Sequence, residues 1–577
     1  MLPHRRKKDL ISMKKPSVND STGQPIHVLR GKKSSLDKIK AGIRKWRNAP
    51  PPEIWLKTMV TSEWPDYESW LFRYAFLNQE DWRHQRKTSR KLPKRPLFSL
   101  LTPVFNVAPT FLKECVESVL FQSYPFWELL LVDDASTRAE TRSFLQQLST
   151  LDDRISVRHN PKNLGICTTT NAALDRARGE FSVFLDHDDK LAPNALFEVA
   201  KVMNTHPETD IIYSDRDLIS IRGSRFMHLF KPEWAPETIL SSNYLCHLTS
   251  YRTTLLKELN GLDQETEGSQ DHDLILRAEE KQPHVYHIPK VLYHWRQHPE
   301  SVAFNPESKE YAYKAASLSV SKALMRRNLT GTVEEIDHLW RGNYRVILAR
   351  PPKTDFHVHQ VTDFRQARWP EIFSQALDAS DSKPYLIFLD TCLHPMNSDA
   401  LEELVSWFQI TAVCMTSGKI LNDRKEIIHA GLLHNPEGKI ISIYQGMAEQ
   451  TALGYMAWAA SSHNVSLVHP GCFAVRRKTL RKTLAIFKQS GRFLDPFSLS
   501  LQVRASQKRI VYTPFARFSG KSSAIMQLLQ NQENRERFFS EWQDMLKQGD
   551  PYFSKNLEIR KNDISLNFSR PSFRTSG

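Results

Sequence analysis

The apolar run Phe181 to Leu185 stops abruptly at Asp186-His187-Asp188-Asp189. A short run of β-formers closed by charge reads as a buried strand emerging at a sheet edge. Three carboxylates in four residues repel one another unless a cation compensates. Mg²⁺ or Mn²⁺ carrying a phosphorylated ligand meets that need, because hard cations prefer oxygen ligands. A solvated acidic turn would have the same local sequence, so the flanking chain has to decide.

From Pro96 that chain alternates strand and helix. Leu97–Val104 is an apolar strand, and Thr110–Gln122 carries Phe111, Leu112, Cys115, Val116 and Val119 on a helical stripe. Trp127–Val132 is a second buried strand, ending in Asp133-Asp134-Ala135-Ser136. A helix over 137–148, a short strand over 155–158 and a helix over 166–177 lead to the acidic strand end. This β-α-β-α-β order predicts an open, largely parallel sheet, and such sheets bind ligands beyond their carboxyl ends. Asp133, Asp134, Asp186 and Asp188 all fall on that edge. Further on, Ile211–Tyr213, Leu245–Tyr251, His284–Ile288 and Val291–Tyr293 read as strands, and Asp271–Glu280 as a helix with two acids in its first turn, where free N–H groups favour anions.

At 577 residues the chain exceeds one ordinary domain. Apolar content of 40% with 25% charged residues is that of a soluble globular protein. No apolar run reaches a membrane span, and no signal peptide is expected. Six dispersed cysteines have neither metal-ligand spacing nor the density of a disulfide scaffold, which suits a reducing cytoplasm. The net charge of +15 is concentrated at one end: residues 1–50 hold 14 Lys or Arg against 3 Asp, a net of +11. With no recognition motif on a folded face, nucleic acid is not expected as a partner. The basic tail suits anionic lipid. Residues 1–34 are expected to be disordered, and Ser35–Trp46 is amphipathic, suited to a membrane interface or to packing on its own protein. Residues 51–95, rich in Trp and Tyr, read as a helical collar.

In series, TPVFN (102–106), LLLVDDAS (129–136), NLGICTTTNAAL (163–174), GEFSVFLDHDD (179–189), FKPEW (230–234), GSQDHDLILR (268–277) and VLYHWR (291–296) resemble an inverting glycosyltransferase of family 2 with the GT-A fold. That is a Rossmann-like, mostly parallel sheet flanked by helices. The resemblance covers roughly residues 96–300 and looks most like bacterial enzymes of O-antigen and other surface polysaccharides, rhamnosyltransferase-like members among them. A catalytic domain over 96–335 is expected.

The resemblance implies a nucleoside diphosphate sugar donor (UDP-, dTDP- or GDP-linked), a glycan or lipid-linked acceptor and Mn²⁺ or Mg²⁺. Pro103 and Asn106 would border the nucleotide, and Asp133 would accept the imide N–H of the base. Asp134 would order its turn. Asp186 and Asp188 match the D-x-D element: Asp188 would touch the metal, and Asp186 would face the ribose or reach the metal through water. His294 matches a histidine that completes the metal site in some relatives. Asp271 matches the catalytic base, with Asp273, which could instead hold Arg277, as its rival. Trp234, His247 and Glu233 could line the acceptor region, and Arg296 could assist the leaving diphosphate.

Residues 340–530 resemble half of a second such domain. Tyr385–Leu389 repeats the strand of Phe181–Leu185, but only Asp390-Thr391-Cys392 follows. Pro496 and Ser498 stand where acids are expected, and Phe518–Gly520 where histidines are. Counterparts of TPVFN and LLLVDDAS are missing. A degenerate, non-transferring unit follows, then a C-terminal helix and loose extension over 531–577. The alternative for the whole chain is a non-catalytic nucleotide-sugar or glycan-binding scaffold in a polysaccharide-assembly complex. A dehydrogenase would need a glycine fingerprint after the first strand, and a nucleotidyltransferase a glycine-rich, basic loop; Val104–Pro109 offers neither. The expected location is cytoplasmic, peripheral at the inner face of the inner membrane, with homo-oligomers allowed.

Overall fold

The computed structural model describes residues 49–298, 310–350, 355–364, 367–380, 382–560 and 563–569. The basic tail and Ser35–Trp46 lie outside them. The first sheet contains β1 (Phe98–Val104), β2 (Trp127–Asp133), β3 (Ile155–His159), β4 (Phe181–Phe184), β5 (Lys190–Leu191), β6 (Ile211–Ile219), β7 (Arg225–Leu229), β8 (Thr249–Arg252) and β9 (Val285–Arg296). Their order is β3-β2-β1-β4-β8-β6-β9-β5, with β7 on β6. Strands β3, β2, β1 and β4 are parallel. Strand β8 runs antiparallel to both β4 and β6, and β6 and β9 are again parallel. The sheet is therefore mixed, with a parallel half around β1.

Strands β1 and β2 are buried at every residue, as expected of central strands covered on both faces. The helix Pro109–Leu120 starts on proline and turns Leu112, Cys115, Val116 and Val119 inward. Among the described residues, three helices precede the sheet: Glu53–Thr58, Pro65–Tyr74 and Gln79–Ser89, the last opened by a reciprocal Asn78–Asp81 capping box. Tyr67 ties them to the sheet through its hydroxyl, 2.7 Å from Asp217 Oδ2.

A hairpin, β10 (Gly331–Glu335) and β11 (Tyr344–Leu348), separates two sheet-bearing units. Tyr344–Leu348 is thus a strand of that hairpin, outside the second sheet. The second sheet takes β12 (Phe356–Val361), β13 (Tyr385–Asp390), β14 (Leu393–Pro395), β15 (Val413–Leu421), β16 (Ile427–His429), β19 (His463–Asn464), β20 (Cys472–Arg476) and β21 (Arg509–Gly520). Between them lies a small hairpin, β17 (Leu432–His434) and β18 (Ile440–Ser442).

Its path β12-β13-β20-β15-β21-β14 repeats β1-β4-β8-β6-β9-β5 of the first sheet. Strand senses match pair by pair, including parallel β12–β13 and β15–β21. Counterparts of β2 and β3 are missing from it among the described residues. Strand β12, which supplies the counterpart of β1, was not expected: FHVHQV alternates histidine with valine and follows two prolines.

As far as Leu566, the C-terminal segment expected as a helix and loose extension forms a helix and a hairpin. The helix Gln532–Lys547 buries Phe538, Trp542 and Leu546, and a hairpin follows, β22 (Leu557–Arg560) and β23 (Asp563–Leu566). Fully buried Asn556 donates to Asp215 Oδ2 (2.9 Å) in the first unit. Continuous apolar cores join the units, one running from Tyr67, Trp70 and Phe230 to Phe388, Phe473 and Leu501. Among the described residues, no helix is long and apolar enough to cross a membrane.

Candidate active site

A cavity of about 590 Å³ opens beyond the carboxyl ends of β1 and β4. Pro103, Asn106, Asp186, Asp188 and Asp271 all line it. Asn106 adopts a left-handed backbone (φ 49°), and its Oδ1 accepts from the N–H groups of Thr137 (2.8 Å) and Arg138 (3.0 Å). It thereby locks the loop after β1 to the loop after β2.

The two aspartates after β2 divide differently from expectation. Asp134 lines the cavity and accepts from the N–H groups of Leu164 (2.8 Å) and Gly165 (3.0 Å), fixing the start of the helix Gly165–Leu174. A side chain on Gly165 (φ +83°) would collide with the Glu267 carboxylate. Asp133 is buried outside the cavity lining; it accepts from Ser136 N–H (3.2 Å) and sits 2.9 Å from His159 Nδ1.

The acids after β4 also separate by role. Asp189 is turned inward, accepting from the Tyr293 hydroxyl (2.6 Å) and Arg296 N–H (2.6 Å), which pins the end of β9 to the acidic turn. Asp186 and Asp188 face the cavity. Burial, reinforced by the neighbouring Asp188 charge, raises the Asp186 carboxyl above its ordinary value. Burial pushes Asp188 up too, but the hydrogen bond from His298 and the charges of His187 and His298 outweigh it and hold Asp188 at about 2. Neighbouring carboxylates thus differ in proton affinity.

His294 is not brought to these acids. It lies between β5 and β6, paired with Lys190 and Asp217 in register, and is 1% exposed. Its Nδ1 is 2.7 Å from Asp217 Oδ1, and burial lowers it to about 4. The histidine at the acids is His298, with Nε2 2.8 Å from Asp188 Oδ2. His294 and Arg296 share the buried face of β9, whereas Trp295 between them lines the cavity. Arg296 is fully buried, bonded to Glu114 (2.7 Å) and to the Asp188 carbonyl (2.7 Å), so it braces the turn.

The first turn of the helix Gln270–Glu279 presents Asp271 to the same cavity. Asn243 Nδ2 donates to Asp271 Oδ2 (3.1 Å). Asp273 is fully buried and bonded to Arg277 Nε (2.6 Å). His247 lines the cavity 3.7 Å from Asp186 Oδ2, whereas Glu233 and Trp234 do not line it. Cys246 was not singled out from sequence, yet its Sγ groups with His247 and Asp271, all ligand atoms within 4.8 Å of one another. As a chemical device, the cavity offers a carboxylate–imidazole pair and a second carboxylate held by a carboxamide.

Residues 99–258 match the family described as Glycosyl transferase family 2. A Bacillus subtilis protein named as the glycosyltransferase EpsE is 30% identical over 229 residues, which are 39% of this chain and 80% of that protein. The chain belongs to glycosyl transferase family 2. Matches to this family member extend beyond the first unit. An uncharacterized Sinorhizobium fredii protein, y4gI, is 28% identical over 548 residues, and the O-antigen biosynthesis protein RfbC of Myxococcus xanthus is 27% identical over 538. These alignments take in 83% and 82% of this chain but only 60% and 41% of those relatives. Among solved structures, Staphylococcus aureus TarS 1–349 in complex with UDP-GlcNAc matches with 21% identity, a TM-score of 0.33, and coverage of 40% of this chain and 66% of that one.

Proposed function

We propose that this family 2 protein is a metal-dependent, inverting glycosyltransferase. It moves a sugar from a nucleoside diphosphate donor (UDP-, dTDP- or GDP-linked) to a glycan or lipid-linked acceptor in bacterial surface polysaccharide synthesis. The observation that carries this is one cavity lined by Asp186, Asp188 and Asp271 together. Rhamnosyl-type deoxyhexoses belong in the donor screen because of the sequence resemblance.

The donor set suits Mn²⁺ or Mg²⁺: Asp188 and Asp186 provide hard oxygens and His298 an imidazole nitrogen. A divalent cation bound there offsets charge on the leaving diphosphate. Asn106 and Pro103 shape the nucleotide end. Asp271 accepts the proton of the acceptor hydroxyl as that oxygen bonds to the anomeric carbon and the carbon–diphosphate bond breaks on the opposite face. Asn243 orients the Asp271 carboxylate for this transfer. A diphosphate leaves without a protonating acid, so a second carboxylic acid is not required.

The protein acts in the cytoplasm, with its basic first 50 residues against the anionic inner face of the membrane. A chain starting at residue 51 that still sedimented fully with anionic vesicles would remove the tail from that role. The experiment for the activity is a donor screen with Mn²⁺, reading released nucleoside diphosphate against D188A. Metal-dependent release from one donor supports transfer. Tight, metal-dependent UDP binding without turnover on any acceptor would favour a binding scaffold.

A further inference from the structure

The second sheet reaches into the first unit through Asn464 and Arg509. Asn464, on the short strand β19, is 1% exposed and lies across the start of the helix Pro236–Ser241. Its Oδ1 accepts from the N–H groups of Glu237 (3.1 Å) and Thr238 (3.2 Å), and its Nδ2 donates to Glu237 Oε2 (2.6 Å). The other Glu237 oxygen takes Arg509 of β21, at 2.9 Å from Nε and 2.8 Å from Nη2. Glu237 is itself 1% exposed, so a buried carboxylate of one unit has its hydrogen bonds supplied by the other.

The clamped helix is linked to the candidate base by two routes. The carbonyl of Ile239 accepts from His272 Nε2 at 2.7 Å, and His272 adjoins Asp271 in sequence. Two residues past the end of the helix, Asn243 donates to Asp271 itself. The path Asn464–helix 236–241–Asn243–Asp271 is continuous in hydrogen bonds and covalent chain.

The geometry points to Asn464 as a positioning residue for Asp271, and so to the second unit as the brace of the transfer site. This assignment rests on the activity proposed above. It accounts for a sheet that keeps the β15, β19 and β21 side of its path while, among the described residues, lacking the β2 and β3 counterparts. A misplacement of about 1 Å far from the chemistry can cost about 100-fold in rate.

The test uses the full chain with N464A, R509Q and D271N. Hydrogen exchange is read on residues 236–247 and 270–274, with 98–104 and 181–184 as the internal control. Calorimetry with UDP and Mn²⁺ reads the nucleotide end, and turnover is measured where wild type has it. N464A should lose protection in the first two segments only, keep UDP affinity within about twofold, and lower kcat roughly 10- to 100-fold. R509Q should do the same more weakly, and it remains informative if N464A fails to fold. Unchanged protection at 270–274 in both variants, or wild-type kcat in N464A, overturns the brace. An inactive wild type, or a fully active D271N, overturns the activity or its base instead, and the exchange pattern still decides whether Asn464 holds that segment.

Discussion

His298 Nε2 stands 2.8 Å from Asp188 Oδ2 at the edge of the cavity, while His294 is buried against Asp217. The two histidines are four residues apart and have separable roles. H298A should weaken Mn²⁺ affinity and turnover by about 10-fold or more, because a nitrogen donor and the partner of Asp188 are lost together. H294A should leave Mn²⁺ affinity within about twofold and cost about 1–3 kcal/mol of stability, since Asp217 loses a buried partner. Mn²⁺ titration and thermal melting of both variants check this.

Asp271 and Asp273 are separated in the same way. D271N should lower kcat by about 100- to 10,000-fold, the range for a positioned general base, and leave UDP–Mn²⁺ binding unchanged. D273N should act on stability, because Arg277 would lose the charge of its buried carboxylate partner and keep only the Leu259 and Gly261 carbonyls and an amide; the expected cost is about 3 kcal/mol. Steady-state kinetics beside calorimetric melting distinguish the two.

Local signals carried most of what could be read from sequence. Strands β1, β2 and β4 were legible because short apolar runs are local features, two of them closed by acids; Asp186 and Asp188 followed from the parallel sheet edge, and Asp271 from the family resemblance. What failed depended on pleat and on distant pairing. Asp133 and Asp134 are adjacent, and only the loop packing decides that Asp134 faces the cavity. His294 was placed at the metal by resemblance alone, whereas β9 runs on to Arg296 and keeps His294 buried within the sheet. Strand β12 has a weak local pattern and is fixed by parallel pairing with β13. Asn464 carries no motif; its meaning arises 226 and 227 residues away, at Thr238 and Glu237.

The second sheet offers a contrast at the position equivalent to Asp186. Asp390 Oδ1 accepts from Cys392 N–H (2.9 Å) and Oδ2 from the Ser522 hydroxyl (2.7 Å). Ser522 follows β21 by two residues, as His298 follows β9. The serine closes the turn where the histidine leaves a polar wall. D390A should therefore keep turnover within about twofold of wild type and lower stability by about 1 kcal/mol for the lost hydrogen bonds. A large loss of kcat with normal melting would assign chemistry to this unit.

Asp495 makes the second unit sensitive to pH. It is 3% exposed, and its Oδ1 accepts from Ser498 N–H (2.6 Å) at the start of the helix Pro496–Ala505. Burial raises its carboxyl from 3.8 to about 6, outweighing that hydrogen bond. Between these values the folded chain holds a proton that the unfolded chain has released. Its contribution to stability is therefore full below about pH 4 and falls as pH rises toward 6, by about 3 kcal/mol for a shift of about two units. D495N retains an oxygen to cap the helix and cannot ionise. It should melt above wild type at pH 7, with the gap closing by pH 4. Melting curves of both proteins across pH 4–7 check this, and a constant gap across that range would mean Asp495 is not the group that titrates.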